Sequence, residues 1–418
     1  MRFNALHMKD FRGIRTLIVD FEPDLTVIVA RNGAGKTSIL DALGELSRFI
    51  RYHLKQGRRR GMNQQLSSRD VRSQASEFLL SLKLDAGDGW SDSGDRDLLH
   101  LTCDGDSGSY DLNYQNKLMQ WSDQAKAQPR FIYYRQNRAF QKETHPTARG
   151  PDRTLDPEYV QDLSLAEDLQ AIGDLEAWWN ERDAQEARVV RDSNPQYRDP
   201  QLEAIRKLVT RIDEFTGINY SSTASPPGLR LLKRDGTAIH VSGLSGGERS
   251  YIILLADLAR RLQVFAPERP LEAIPAIVLI DEVELNLHPA WQSQVVPTLT
   301  RVFKACQFIV TTHSPQVLSG IENRNVRVLR QTASGPTEAT VPLSTKGRTS
   351  NYLLEGVLGA SERYPPIDEL VDDFNKAIDR KDSVTAEKKL ANIEKELADD
   401  TPTLLVLRKR LKRLRGIG

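Results

Sequence analysis

Apolar and polar positions alternate at the start of the chain, first at Phe3, Ala5 and His7 and then at Leu17, Val19 and Phe21. That period predicts two short strands joined by the turn "KDFRG". A third strand, Leu25 to Ala30, runs directly into the glycine-rich turn of "ARNGAGKTSILDAL". From about Thr37 the spacing becomes helical, with Ile39, Leu40, Leu43, Leu46 and Ile50 on one stripe. "FLLSLKL" and "RFIYY" predict further strands of a first lobe, separated by loops rich in Gly, Asp and Ser.

The pattern shifts at Gln136. "KETHPTARGPDRTLDPEY" predicts a mobile loop, and two amphipathic stretches, around Leu169 to Arg188 and Gln201 to Phe215, predict the helices of a modest insertion. Strands return at "LRLLKR" and "AIHVS", followed by a second glycine-rich turn, "GLSGGERSYIILL", whose helix runs to Phe265. "AIVLIDE" and "QFIVTTH" are apolar until their polar ends, as strands buried in a parallel sheet are.

From Pro365 onward three helical stripes follow. They comprise Ile367, Leu370, Val371, Phe374 and Ile378; then Ala386, Leu390, Ile393 and Leu397; then Leu404, Leu407, Leu411 and Leu414, with Thr401 and Pro402 as cap and first residue of the last. The expected organisation is a lobe at 1–135, a helical insertion at 136–216, a second lobe at 217–345 and a helical module at 346–418.

Composition narrows the class. A chain of 418 residues with 39% hydrophobic residues can bury a large core. No apolar run approaches the roughly 20 residues that span a bilayer, and "MRFNALHMKDFRG" lacks the apolar centre of a signal peptide, so a cytoplasmic protein is expected. Cys103 and Cys306 are too few for a disulfide framework and lie at no metal-ligand spacing. With 58 Lys plus Arg against 57 Asp plus Glu, any nucleic-acid contact must come from a local patch.

Three polar strand ends carry the candidate chemistry. "ARNGAGKT" fits a P-loop apart from Ala30 in the first glycine position. Asn32, Gly33, Ala34 and Gly35 would curl backbone N–H groups round a phosphate, Lys36 would neutralise β- and γ-oxygens, and Thr37, followed by Ser38, would offer a hydroxyl to Mg²⁺. Adjacent carboxylates end the next strand: Asp281 can hold Mg²⁺ through water, and Glu282 can orient and deprotonate an attacking water. His313, at the end of "QFIVTTH", is placed to donate to a γ-phosphate if its strand neighbours that of Asp281.

The P-loop, "LSGGE", "LIDE" and "TTHS", in this order and after the opening "MKDFRGI", resemble the ABC-type ATPase heads of the SMC, RecF and OLD proteins. The resemblance implies an α/β fold, an ABC-type P-loop head of two lobes on a mixed-sheet core. It covers about 1–135 and 217–345, with ATP and Mg²⁺ as ligands. It also implies that two heads dimerise head to tail, so that Ser245, Gly246, Gly247 and Glu248 of one copy reach the γ-phosphate held by the other. On this carry-over Lys36 and Thr37 grip phosphate and Mg²⁺, Asp281 supports the metal, Glu282 is the base and His313 the switch. Arg12 is a further phosphate contact and Gln136 the Q-loop metal ligand. The D-loop "LNLHP" carries Asn286 where related short ATPases often show His.

An insertion of about 80 residues is too short for an SMC coiled coil. "FIYYRQNRAF", "LEAWWNERDAQE" and "LNLHPAWQ" are similar to the compact bacterial ATPases of anti-phage defence, the Septu-type (PtuA) group, which pair with an HNH nuclease (PtuB). That likeness implies a homo-oligomer and a separate nuclease partner. A RecF-like ATPase acting directly on DNA is the alternative.

Two basic patches fit more than one role. Arg51, Lys55, Arg58, Arg59 and Arg60 suit either DNA phosphates or a solvated loop. Arg408, Lys409, Arg410, Lys412, Arg413 and Arg415 suit a solvated face, an acidic partner or nucleic acid. Trp178 and Trp179 suit packing within the insertion.

Overall fold

The structure, a computed structural model, describes residues 1–54, 66, 68–85, 98–104, 107–111, 129–136, 171–331, 337–359, 365–397 and 402–415. The expected mobile loop, Lys55, the Arg58–Arg60 run and Thr401 lie outside these residues. The chain divides into two compact units, 1–349 and 350–418.

The first unit begins with β1 (Arg2–Phe11), β2 (Ile14–Asp20), β3 (Leu25–Val29), α1 (Lys36–Leu54), β4 (Glu77–Asp85), β5 (Leu98–Asp104), β6 (Ser107–Asp111) and β7 (Phe131–Tyr134). Next come α2 (Ala171–Asp192), α3 (Pro200–Val209), β8 (Phe215–Ser221), β9 (Gly228–Lys233) and β10 (Ala238–His240). It closes with α4 (Gly246–Phe265), β11 (Ile277–Ile280), α5 (Pro289–Val302), β12 (Gln307–Thr312), α6 (Pro315–Ser319), β13 (Val326–Gln331) and β14 (Thr337–Thr340).

Among the described residues three sheets result, in the orders β2-β1-β4-β5-β6, β10-β9-β8 and β14-β13-β3-β12-β11-β7. The first two are antiparallel. In the third, β13, β3, β12, β11 and β7 run parallel and β14 pairs antiparallel at the edge. β3, β12 and β11 are buried throughout, which explains their unbroken apolar character. α1 shares one core with the five-stranded sheet through Phe3, Phe11 and Leu80, and with the six-stranded sheet through Phe131, Ile277 and Ile309. Both halves of the chain contribute to this sheet: β3 and β7 from the first half pair with β12 and β11, respectively, from the second.

Helix α3 ends at Val209, whereas the sequence spacing carries it to Phe215. Ile212 and Phe215 extend the helical stripe, but Phe215 instead opens β8 and pairs with Lys233. Tertiary pairing overrides a short apolar period there. The start of α3 is local chemistry: Asp199 Oδ1 accepts from the amides of Gln201 at 2.9 Å and Leu202 at 3.1 Å, and Pro200 fills the first position. Strands β8, β13 and β14 were not expected, and the strand "AIHVS" stops at His240. Trp178 and Trp179 are fully buried, edge to face at 6.3 Å, so they pack rather than present their rings. Arg51 is also buried, in α1.

The second unit comprises α7 (Ser350–Gly356), α8 (Pro365–Asp379), α9 (Ser383–Glu396) and α10 (Pro402–Leu414). The three stripes meet in one core around Phe374, Leu390, Ile393, Leu404 and Leu407. Arg408 pairs with Glu394 at 2.7 Å and Arg415 with Glu387, which ties part of the basic face of α10 to α9. Among the described residues no helix is long and apolar enough to cross a membrane.

Cys306 is 3% exposed, and burial pushes its thiol up to about 12. Alkylation of Cys306 in the folded protein at pH 8, followed by peptide mass spectrometry, is expected to be at least about 100-fold slower than in the unfolded chain, because the thiolate is the reactive form. Equal rates would show that the β11–β12 edge opens readily.

Candidate nucleotide site at the edge of the parallel sheet

The site assembles because β3, β12 and β11 are parallel neighbours whose C-terminal ends lie level. Val29 pairs with Thr312, and Ile280 with Val310, so the residues just past each strand share one edge. That edge is where open parallel sheets bind ligands.

From β3 the chain turns through Gly33 and Gly35, at φ 78° and 96°, in the left-handed region that glycine tolerates. A Cβ on Gly35 would also stand 2.8 Å from Ile14 Cδ1. Lys36 is buried and arches back over the loop, its Nζ donating to the carbonyls of Ala30 at 3.2 Å and Arg31 at 3.4 Å. Burial holds its ammonium below the usual lysine range, while Asp281, Glu282 and Glu284 pull the other way. Asn32 and Thr37 are exposed, and Ser38 is half-buried.

Asp281 is the centre of the edge. Its Oδ2 accepts from Thr37 Oγ1 at 2.9 Å and its Oδ1 from Thr311 Oγ1 at 2.5 Å. The Thr311 hydroxyl also accepts from the Glu282 amide at 2.7 Å. Glu282 has φ 47°, an uncommon conformation that costs of order 1–3 kcal/mol outside glycine and gathers at functional sites. Its Oε1 stands 4.0 Å from His313 Nε2. The amide of His313 donates to Glu284 Oε1 at 2.6 Å. Burial and then Lys36 lower the His313 imidazole, against the pull of Glu284, Glu282 and Asp281.

A hydroxyl and a carboxylate in contact form a hard oxygen pair that suits Mg²⁺, which keeps waters and phosphate oxygens as its other ligands. Among the described residues no cluster of three or more His, Cys, Asp and Glu side chains could hold a metal by itself. Thr37 and Asp281, in contact at 2.9 Å, are residues that could hold Mg²⁺ beside a phosphate.

The remaining candidates are placed differently. The Arg12 guanidinium, in the β1–β2 turn, donates to Asp41 at 2.6 Å and Asp70 at 2.8 Å, so it is engaged with two carboxylates. Gln136 is exposed in the turn after β7. Ser245 caps α4: its Oγ accepts from the Glu248 amide at 3.3 Å, while Glu248 Oε2 accepts from the Ser245 amide at 2.8 Å. Glu248 also pairs with Lys233 at 3.2 Å, so its carboxylate serves its own chain. A Cβ on Gly247 would stand 3.0 Å from the His288 amide and 3.1 Å from the Asn286 carbonyl, so the glycine turn and the D-loop touch through backbone. Asn286 itself has φ 63°.

Sequence reasoning missed the supports: Thr311 under Asp281, Glu284 behind His313, and Asp41. Asp41 accepts from Arg12, from Tyr133 Oη at 2.9 Å and from Arg135. The S-x-x-E spacing of the cap was legible; the other partners lie far apart in the chain.

Thr311→Val removes the donor to Asp281 and the acceptor for Glu282 at near-constant volume. It is expected to lower turnover about tenfold while changing nucleotide affinity less than about threefold, and to cost about 1–3 kcal/mol in denaturant unfolding. Unchanged turnover would show that Asp281 needs no second support.

A family model described as "AAA domain, putative AbiEii toxin, Type IV TA system" matches residues 25–319. The protein named "Retron Ec83 probable ATPase" from Escherichia coli is 34% identical over 185 residues, covering 43% of this chain and 33% of that protein. The Septu protein PtuA of Bacillus thuringiensis is 23% identical over 390 residues, covering 88% of this chain and 87% of PtuA. The match thus spans only about a third of the retron protein's length. A crystal structure of the SMC head bound to the C-winged helix domain of ScpA superposes with a TM-score of 0.50 at 17% identity, covering 81% of this chain and 97% of that one, which shows a shared fold. The matched segment holds the P-loop, the glycine turn of α4, both carboxylates that follow β11 and His313, and on that match the chain belongs to this AAA-domain family.

Proposed function

We propose that the chain hydrolyses ATP as a head-to-tail pair of copies. Each P-loop is completed by the other copy's "LSGGE" turn, and the ATP-bound pair controls a separate HNH-type nuclease in anti-phage defence. The observation that carries the pairing is the division of groups around α4. Lys36, Thr37, Asp281, Glu282 and His313 gather at one sheet edge, whereas the partners of Ser245 and Glu248 are each other and Lys233. Ser245 is exposed, and a Cβ on Gly246 would meet nothing within 4 Å. A capped, glycine-lined helix N-terminus facing open space suits a phosphate brought by another molecule.

Within one site the residues divide the chemistry. Lys36 and the loop amides bind the phosphates, and Thr37 with Asp281 would hold Mg²⁺, which would offset phosphate charge when bound. Glu282, aimed by its left-handed backbone and the Thr311 hydroxyl, takes a proton from the attacking water. His313, neutral around pH 7 because burial and Lys36 lower it, donates to the γ-phosphate beside Glu282. The nuclease partner is supported by the likeness to PtuA along 88% of the chain and by the defence-ATPase motifs of the sequence.

Glu282→Gln is expected to keep ATP binding, slow turnover by about 100-fold or more and accumulate an ATP-dependent dimer in analytical ultracentrifugation. Normal turnover in that variant would remove Glu282 as the base. Ser245→Arg is expected to bind ATP within about threefold of the parent, yet neither dimerise nor hydrolyse. Loss of binding by the Ser245→Arg monomer would place the glycine turn in its own chain's site and refute the split-site reading.

A further inference from the structure

Tyr133, Tyr134 and Arg135, at the end of β7, lie outside the phosphate, carboxylate and glycine-turn motifs, yet they touch all three parts of the machinery. The Tyr134 carbonyl accepts from the Asp281 amide at 2.8 Å, fixing the start of the carboxylate turn. On either side, Tyr133 Oη and the Arg135 guanidinium both reach Asp41 on the P-loop helix α1, and Arg135 lies 4.4 Å over the Tyr133 ring. Tyr134 points the other way, its hydroxyl donating to Asp257 Oδ2 at 2.8 Å on α4, the helix that begins at the "LSGGE" turn.

Asp257 is 0% exposed and accepts from Arg260 Nε at 3.1 Å, Arg260 Nη2 at 2.7 Å and Arg261 Nε at 2.6 Å. Both arginines are themselves buried. Removing such charges from water is costly, and well-packed apolar side chains would often stabilise the core as well or better. What the cluster supplies is a fixed geometry between a helix and a strand. Asp257 lies 12 residues after Ser245, about 18 Å along a helix that is buried on nearly every side. A tilt or rotation imposed at Asp257 therefore reappears at the glycine turn.

We propose that Tyr134 and Asp257 are positioning residues that couple the Thr37–Asp281 edge to α4, so that nucleotide contacts at the edge set the presentation of Ser245. This rests on the split-site reading above. The test uses the full chain carrying Tyr134→Phe, alone and with Glu282→Gln. A fluorescent ATP analogue reports binding, sedimentation reports ATP-driven pairing, and steady-state assays give kcat and KM. Tyr134→Phe is expected to bind nucleotide within about threefold of its parent, while pairing weakens and kcat falls by about tenfold each at nearly constant KM. Pairing and kcat within about twofold of the parent, with only the thermal midpoint lowered, would reduce the cluster to core support and overturn the proposal. Absence of an ATP-driven dimer in the Glu282→Gln parent would overturn the split-site reading and this coupling together.

If Tyr134→Phe does not fold, hydrogen exchange on the Ser245→Arg monomer decides instead. ATP is expected to change exchange of the amides across Ser250 to Arg261, and identical exchange with and without ATP would overturn the coupling.

Discussion

Carboxylates crowd the end of one apolar strand, and the rest of the site is arranged so that they can remain there. Asp281, Glu282 and Glu284 fall within four residues, in a region that also lowers a lysine and a histidine by burial. Their mutual repulsion is offset from several directions. Two threonine hydroxyls donate to Asp281, one backbone amide donates to Glu284, and the Lys36 ammonium lies within electrostatic reach of all three. None of these donors is a sequence neighbour of the acid it serves, so the parallel order β3, β12, β11 is what allows the charges to gather.

The same logic recurs at two carboxylates in the interior. Asp41 collects Arg12, Tyr133 and Arg135 at the P-loop helix α1, and Asp257 collects Tyr134, Arg260 and Arg261 at α4. Each is a charge-assisted knot whose value lies in direction as much as in energy. Because adjacent residues of β7 serve both, two helices are anchored to the strand that also holds Asp281 through its backbone.

The two glycine-rich turns solve different local problems with the same residue. In the first, positive φ lets the chain curl and Gly35 clears Ile14. In the second, a Ser and a Glu satisfy the first turn of α4, and Gly247 allows the D-loop backbone to approach. That close approach ties the position of one turn to the loop following Glu282.

How much of this was legible depended on the range of the physics. The strand, turn and helix of the P-loop, the capping spacing of Ser245 and Glu248 and the stripes of α8 to α10 follow from periodicity and backbone preference over a few residues. Those effects are local, so the sequence alone determined them, along with the carboxylates and histidine at the ends of apolar strands. The helix expected to reach Phe215 marks the limit, since Phe215 leaves the helical stripe once β9 offers it a partner strand. The Tyr133–Asp41 bond spans 92 residues, Tyr134–Asp257 spans 123 and Thr37–Asp281 spans 244. Only the tertiary structure decided these, because a hydrogen bond in the core depends on which strands become neighbours, and no short-range preference carries that order.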